Sequence, residues 1–282
     1  MTERLRLDNL VWQRGLAASR TQARALVLAG AIAVDGQCVT QAGTLVSLHT
    51  TLSLIKPRPR YVSRGGDKLA AALHAFPIDV RHRIALDIGA STGGFTDCLL
   101  QAGAKRVHAV DVGYGQLHWR LRTDPRVVVY ERTNARYLQP QDLPERPSVL
   151  TVDVSFISLR LLWPVLVELL EPNADAVVLI KPQFEVGKGE VGKGGVVRHP
   201  QHHYQALRDV LTAAQACGFG VQTAILSPLL GPKGNREFLA HSILAGSVLL
   251  SDDLQALCQH LVTTPDASVQ PLAAAKRKTE RR

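Results

Sequence analysis

The spacing of apolar residues changes character along this chain, and the change divides it. In residues 4–15 (RLRLDNLVWQRG), Leu7, Leu10 and Val11 recur at helical intervals, which predicts a helix. Ser19 then stands where an N-cap belongs, ahead of a second helix over 20–29 with Ala23, Leu26 and Val27 on one face. Gly30 stops that helix, and AIAVDG reads as a short strand ending in an Asp-Gly turn. From about Val62 the pattern becomes strand, helix, strand, helix. Apolar runs at 84–88, 107–110, 127–130, 149–152, 176–180, 221–226 and 238–244 predict strands. Helical spacing at 95–102, 159–170 and 203–217 predicts helices after several of them. Such alternation argues for an α/β fold whose mainly parallel sheet is covered on both faces.

Four pieces are therefore expected: a small α+β domain at 1–55, a basic, proline-containing linker at 56–63, a larger domain at 64–262 and a basic tail at 263–282. The tail loses periodicity and ends KRKTERR, so it is expected to be disordered. Formal net charge is +9 and the sequence pI about 9.7, which favours an acidic partner such as nucleic acid. Arg4, Arg6, Arg14, Arg20 and Arg24 fall on or beside the first two helices and are the candidate RNA contacts. The cysteines (Cys38, Cys98, Cys217, Cys258) are scattered singly, so neither a disulfide framework nor a metal site is expected. No apolar run is long enough to span a bilayer, and the first residues are charged where an export signal needs an apolar stretch. A soluble, cytoplasmic, monomeric protein is expected.

The most informative stretch is LDIGASTGGFTDCLLQAG, in which an apolar strand runs through Asp87, Gly89, Ser91, Gly93 and Gly94 into a helix. Glycines there let the backbone turn sharply and come close to a ligand. A second strand ends in Asp111, near the ~20-residue offset at which an acid bonds ribose hydroxyls. An adenosine-containing ligand is implied. A nicotinamide dinucleotide would want glycine where Ser91 stands, and Asp87 suits a cofactor with a positively charged amino-acid end. S-adenosylmethionine is thus favoured over NAD. The stretch 187–193 (GKGEVGK) imitates a phosphate-binding loop but has Gly194 where Ser or Thr should bind magnesium. It is expected to be a mobile loop or a lid.

Charged residues also stand at strand ends: Asp153 in LTVDVSF, Lys181 in VVLIKPQFE and Glu237 in GNREF, with Lys68 in RGGDKL ahead of the sheet. The pieces YVSRGGDKL, DIGASTGGFTD, VDVGYGQL, ERTNAR, DVSFISL, IKPQFEVGKG and GPKGNREF resemble the TlyA (haemolysin A) family, whose catalytic domain goes with the FtsJ-type ribose 2′-O-methyltransferases. The N-terminal RLDNLVWQRGLAASRTQARALVLAGAIAVDG resembles the RNA-binding module of small-subunit ribosomal protein four. The resemblance implies a Rossmann-like seven-stranded methyltransferase sheet with the last strand antiparallel. It implies ribosomal RNA or ribosomal subunits as partner and a cytidine ribose as substrate. It also implies a catalytic tetrad of Lys68, Asp153, Lys181 and Glu237, and a cofactor site of Asp87, Gly89, Ala90, Ser91, Gly93, Gly94, Phe95, Asp111 and Asn134.

The chemistry is coherent with those residue types. A ribose hydroxyl is a poor nucleophile, and a lysine can deprotonate it only if burial and a neighbouring positive charge destabilise its ammonium. Lys181 is the candidate base, Lys68 the neighbour, and the two acids would orient them without a metal. His241 is expected to be structural. Competing readings are a nonenzymatic RNA-binding or ribosome-assembly factor, a pore-forming haemolysin and a dehydrogenase. The first should lack the lysines or Asp111, the second needs membrane-inserting segments, and the third fails at Ser91.

Overall fold

The computed structural model describes residues 3–55 and 59–265. The chain divides into two compact units, Met1–Pro59 and Arg60–Arg282. Residues 56–58 of the expected linker and 266–282 of the expected tail lie outside the described residues.

In the first unit, β1 (Arg4–Arg6) precedes α1 (Leu7–Gln13) and α2 (Arg20–Leu28), followed by β2 (Ile32–Val34), β3 (Gln37–Cys38), β4 (Leu45–Ser47) and β5 (Leu52–Leu54). The helix expected from Arg4 thus begins three residues late, because 4–6 pair antiparallel with β4, Leu5 opposite Val46. Ser19 does cap α2, its side chain accepting from Gln22 N at 3.2 Å. The turn at Asp35-Gly36 has both residues at positive φ, 50° and 83°, which a two-residue hairpin between right-twisted strands requires. Leu7, Leu10, Val11, Ala23, Val27 and Ile32 form the core of this unit.

The second unit is a seven-stranded sheet. Its strands are β6 (Ile84–Ile88), β7 (Arg106–Val110), β8 (Val127–Tyr130), β9 (Val149–Val152), β10 (Asp175–Ile180), β11 (Phe219–Leu226) and β12 (Phe238–Leu244). They lie in the order β11-β12-β10-β9-β6-β7-β8, with β12 antiparallel to both neighbours and the pairs from β10 to β8 parallel. Every residue of β9 is buried, as a strand covered on both faces must be. Around the sheet run α3 (Gly65–Ala75), α4 (Gly94–Gln101), α5 (Trp119–Arg122), α6 (Trp163–Leu169), α7 (Pro182–Glu185), α8 (Pro200–Ala216) and α9 (Ser251–Thr263). One apolar cluster centres on Trp163, Leu166, Leu207 and Phe219, the other on Leu69, Phe95, Leu99 and Val107.

Several expectations shift. Residues 60–63 are not linker: Tyr61 is buried in the second cluster and Val62 N donates to Asp97 at 2.8 Å. The helix expected over 159–170 is broken into a 3-10 turn, Leu159–Leu161, and α6. Pro164 has no N–H to give and sits in the first turn of α6, where none is needed. The helix α3 has no counterpart among the helices expected. Its start, Gly-Gly-Asp-Lys, looks like a loop, yet a Cβ at Gly66 would collide with the ring of Tyr61. Glycine here serves close packing. His241 is structural as expected, with Nε2 at 2.7 Å from Asp175 Oδ1 and its ring stacked on Phe76.

One carboxyl is fully inside the sheet. Asp87 accepts from Thr96 Oγ1 at 2.6 Å and from Thr151 Oγ1 at 2.9 Å, and burial pushes its pKa up to about 6 from the ordinary 3.8. Raised in the folded state, it contributes stability that is full below pH ~4 and lost as pH rises through about 6. Asp87→Asn removes that loss and keeps partners for both hydroxyls. The stability difference between Asp87→Asn and the parent should move in the variant's favour by about 1 kcal/mol between pH 5 and 8. Urea midpoints across that range measure it, and parallel curves for the two proteins would overturn it.

Candidate active site

Parallel strands deliver their C-terminal ends to one edge of the sheet, and the antiparallel β12 delivers its N-terminal end to the same edge. Ile180 is opposite Phe238, so Lys181 and Glu237, the next residue out on each strand, emerge side by side. Asp153 follows β9, which pairs with β10, and the glycine turn follows β6, which pairs with β9. Lys68 comes from the first turn of α3. Residues far apart in the chain thus meet at one sheet edge.

The glycine turn is shaped by contact. Gly89 has φ +84°, and a Cβ there would strike the carbonyl of Asp153. Asp111 closes the turn from the next strand, with Oδ2 accepting from Ser91 N at 2.8 Å and Oδ1 from Gly113 N at 2.7 Å. Beyond these residues opens a hollow of about 1030 Å³, near the upper size of small-molecule sites, whose lining includes Gly89, Ser91, Asp111, Asn134, Asp153 and Phe156. Val112, Ile157, Leu162 and Phe184 add apolar wall. An acid with spare lone pairs beside an apolar slot suits a nucleoside, the acid for the diol and the slot for the ring. Asp153 at the inner rim offers negative charge to a cationic centre. These residues fit S-adenosylmethionine.

A second hollow of about 290 Å³ adjoins the first and shares Gly89, Ser91, Asp153 and Ser155 with it. Ser63, Lys68, Phe95, Lys181 and Gly231 line its other sides, with Ala90 and Gly94. Two ion pairs stand here. Lys181 Nζ lies 2.6 Å from Asp153 Oδ1 and donates to Ser155 Oγ at 3.0 Å. Lys68 Nζ is paired with Glu237 Oε2, and both side chains are almost wholly buried. Glu237 Oε1 has no hydrogen-bond partner among the described residues, and a side chain at Gly231 would run into it.

All four expected catalytic residues therefore come together. Each lysine has its own carboxylate, Lys68 with Glu237 and Lys181 with Asp153, in line with the expectation that the two acids orient the lysines. The expected cofactor set divides. Gly89, Ala90, Ser91, Gly94, Phe95, Asp111 and Asn134 line one hollow or both. Asp87 does not, contrary to expectation. It is fully buried beneath the turn, held by two threonine hydroxyls, because its strand position points it into the sheet. Gly93 also faces away, its missing Cβ occupied by Leu117 and Leu121. Residues the sequence reading passed over are Ser63, Ser155 and Gly231. Ser155 and Gly231 sit in the motif pieces DVSFISL and GPKGNREF, but a serine or glycine in a motif does not announce its role.

Arg4, Arg6, Arg14, Arg20 and Arg24 are all exposed. Arg6 pairs with Asp8 at 2.6 Å, Arg14 donates to the Leu48 carbonyl at 2.6 Å and Arg20 lies over the Trp12 ring. The glycine-rich stretch 187–195 forms a short 3-10 turn, Lys188–Glu190, and a bridge between Gly192 and Val196. Asn235 ties its end down, accepting from Val197 N at 3.0 Å and donating to Gly195 O at 2.9 Å. Among the described residues, no cluster of three or more His, Cys, Asp or Glu could hold a metal, and no helix is long and apolar enough to cross a membrane.

Comparison with known proteins bears on this geometry. The FtsJ-like methyltransferase family matches residues 61–243, and the S4 domain matches residues 5–52. The 16S/23S rRNA (cytidine-2′-O)-methyltransferase TlyA of Mycobacterium tuberculosis is 50% identical over 239 residues, 84% of this chain and 89% of that one. Hemolysin A of Brachyspira hyodysenteriae is 42% identical over 241 residues, 85% of this chain and 100% of that one. A solved structure from Streptococcus thermophilus superposes with a TM-score of 0.71 at 41% identity, covering 93% of this chain and 96% of its own. With the methyltransferase match spanning most of the chain, the S4 match ahead of it and strand-end chemistry in place, the chain belongs to the TlyA family, an FtsJ-like methyltransferase domain joined to an N-terminal S4 domain.

Proposed function

We propose that the chain transfers a methyl group from S-adenosylmethionine to the ribose 2′-hydroxyl of a cytidine in ribosomal RNA, in the cytoplasm, with the S4 unit helping to hold the RNA. The observation that carries this reading is the shared rim of the two hollows, where a nucleoside site ends and a lysine-lined site begins. The relatives named as cytidine-2′-O methyltransferases of rRNA support the choice of substrate.

When bound, S-adenosylmethionine supplies an electrophilic methyl on a sulfonium. The chain does the rest. Asp111 accepts from the ribose hydroxyls of the cofactor while its backbone partners keep it rigid. Lys181 receives the 2′-hydroxyl proton as the oxygen–carbon bond forms and the methyl–sulfur bond breaks, its electron pair staying on sulfur as a neutral thioether. Asp153 aims Lys181 and offsets the local positive charge. Lys68, aimed by Glu237, steadies the developing negative charge on oxygen. Much of the acceleration comes from alignment, with the reacting atoms held at roughly 3–3.5 Å. The ion pair of Lys181 with Asp153 favours a second reading, in which Lys181 remains a cation gripping the hydroxyl while water removes the proton.

Mapping ribose methylation in rRNA by mass spectrometry, with and without the protein, tests the activity: one or more cytidines should gain a methyl. No added methyl on rRNA or on ribosomal subunits would refute the reading. For the cofactor, Asp111→Ala should weaken S-adenosylmethionine binding at least tenfold, the loss of a charge-assisted bond worth about 1.5–3 kcal/mol. Calorimetry on the folded variant checks this, and unchanged affinity would remove Asp111 from the site. For the base, Lys181→Ala should bind cofactor and RNA yet lose ~10²–10⁴-fold in single-turnover rate. Lys181→Arg separates the two readings: arginine keeps charge and donors but cannot take a proton, so general-base action predicts an inactive enzyme. Activity within a few-fold of the parent favours the gripping cation. For the RNA, replacing Arg20 and Arg24 by Gln should weaken binding and flatten the dependence of log affinity on log salt by about one to two, leaving cofactor affinity unchanged. An unaltered salt slope would mean these arginines face only water.

A further inference from the structure

The Lys181–Asp153 pair is made by two chain segments that meet only in the fold. Asp153 opens the loop 153–158 after β9, and Lys181 opens the segment that becomes α7 after β10. This ion pair, buried at Lys181 and partly exposed at Asp153, fixes only the first residue of the loop and leaves the remainder to other contacts. The loop also needs holding. Phe156 has φ +66° and is 91% exposed, a backbone conformation that a non-glycine residue keeps only when its surroundings over-determine it.

A second tie exists at the far end of both segments. Glu185, the last residue of α7, is buried and lines neither hollow. Its Oε2 accepts from Ser158 Oγ at 2.5 Å and its Oε1 from Leu159 N at 2.9 Å. Arg160 reaches back to the Glu185 carbonyl at 3.3 Å. Burial pushes the Glu185 carboxyl above the ordinary range, so the site is costly for a charge and is occupied by one that is bonded twice to a single loop end.

We infer that Glu185 is a positioning residue for methyl transfer: by fastening the end of the 153–158 loop to α7 it keeps Asp153 against Lys181 and the rim of the hollows in shape. The inference rests on the reading of Lys181 and Asp153 as catalytic. A purely structural role would cost stability without acting through Asp153, and that difference is measurable.

The test uses the full chain with rRNA as substrate. Glu185→Gln keeps an acceptor for Leu159 N and a bonding group for Ser158 Oγ, so its kcat should stay within about threefold of the parent. Glu185→Ala should lose at least tenfold in kcat with the KM for RNA within about twofold. In an Asp153→Asn background the same Glu185→Ala change should cost no more than about threefold, because residues acting through one another are not additive. Ser158→Ala, which removes one of the two Glu185 bonds together with the bonds that Ser158 Oγ accepts from Arg160, should lose a few-fold in kcat while remaining folded by thermal melting and keeping its affinity for S-adenosylmethionine. Three results would overturn the inference: parent kcat in folded Glu185→Ala, an equal loss in the Asp153→Asn background, or, should Glu185→Ala not fold, parent kcat in Ser158→Ala. Parent activity in Asp153→Asn itself would instead overturn the catalytic reading.

Discussion

Two lysine side chains buried at one edge of a sheet are each met by a carboxylate, and the rest of this site is arranged around that pairing. Lys68 and Lys181 are each almost fully buried, as is Glu237. A buried charge left alone costs several kcal/mol, whereas a paired one can be tolerated, so removing one member is far more damaging than the pair is stabilising. The pairs also stitch the domain together. Lys68–Glu237 joins α3 to the start of β12, and Lys181–Asp153 joins the ends of β9 and β10. The same four side chains therefore close the fold and form the candidate site.

The antiparallel last strand is what makes that closure possible. Had β12 run parallel to β10, the residue preceding it would lie at the opposite edge of the sheet, far from Lys181. Because it runs antiparallel, Glu237 precedes Phe238 directly opposite the end of β10. The loop before it, with Gly231 packed on Glu237 and Asn235 fastened to the glycine-rich stretch, brings one wall of the second hollow. At the other side of the rim the Gly89 turn is held from above by Asp111 and from below by Asp87. Asp111 faces the hollow and can bind; Asp87 faces the sheet and supports.

Much of this was legible from residue order. Strand and helix periodicity located all seven strands to within two residues, because a covered parallel sheet demands continuous apolar runs that loops do not imitate. The glycine turn, Asp111 and the strand-end charges were visible as chemistry out of place in apolar surroundings. Local signals misled where packing overrode them. Residues 4–6 have helical neighbours but pair as a strand, α3 begins with two glycines, and residues 60–63 look like linker but place Tyr61 in a core.

By itself, then, the order of residues determined the two-unit plan and the α/β class, since each depends on composition and spacing within a short window, and it marked the glycine turn and the strand-end charges as candidates, while the tetrad was what the family resemblance implied. Only the tertiary structure decided how those four are paired, that Asp87 points inward while Asp111 points out, and that Glu185 reaches across to Ser158 and Leu159. Those facts depend on which strand lies next to which and on the direction in which a side chain leaves it. Contacts between residues dozens of positions apart are set by packing the whole domain, which no local window of the chain contains.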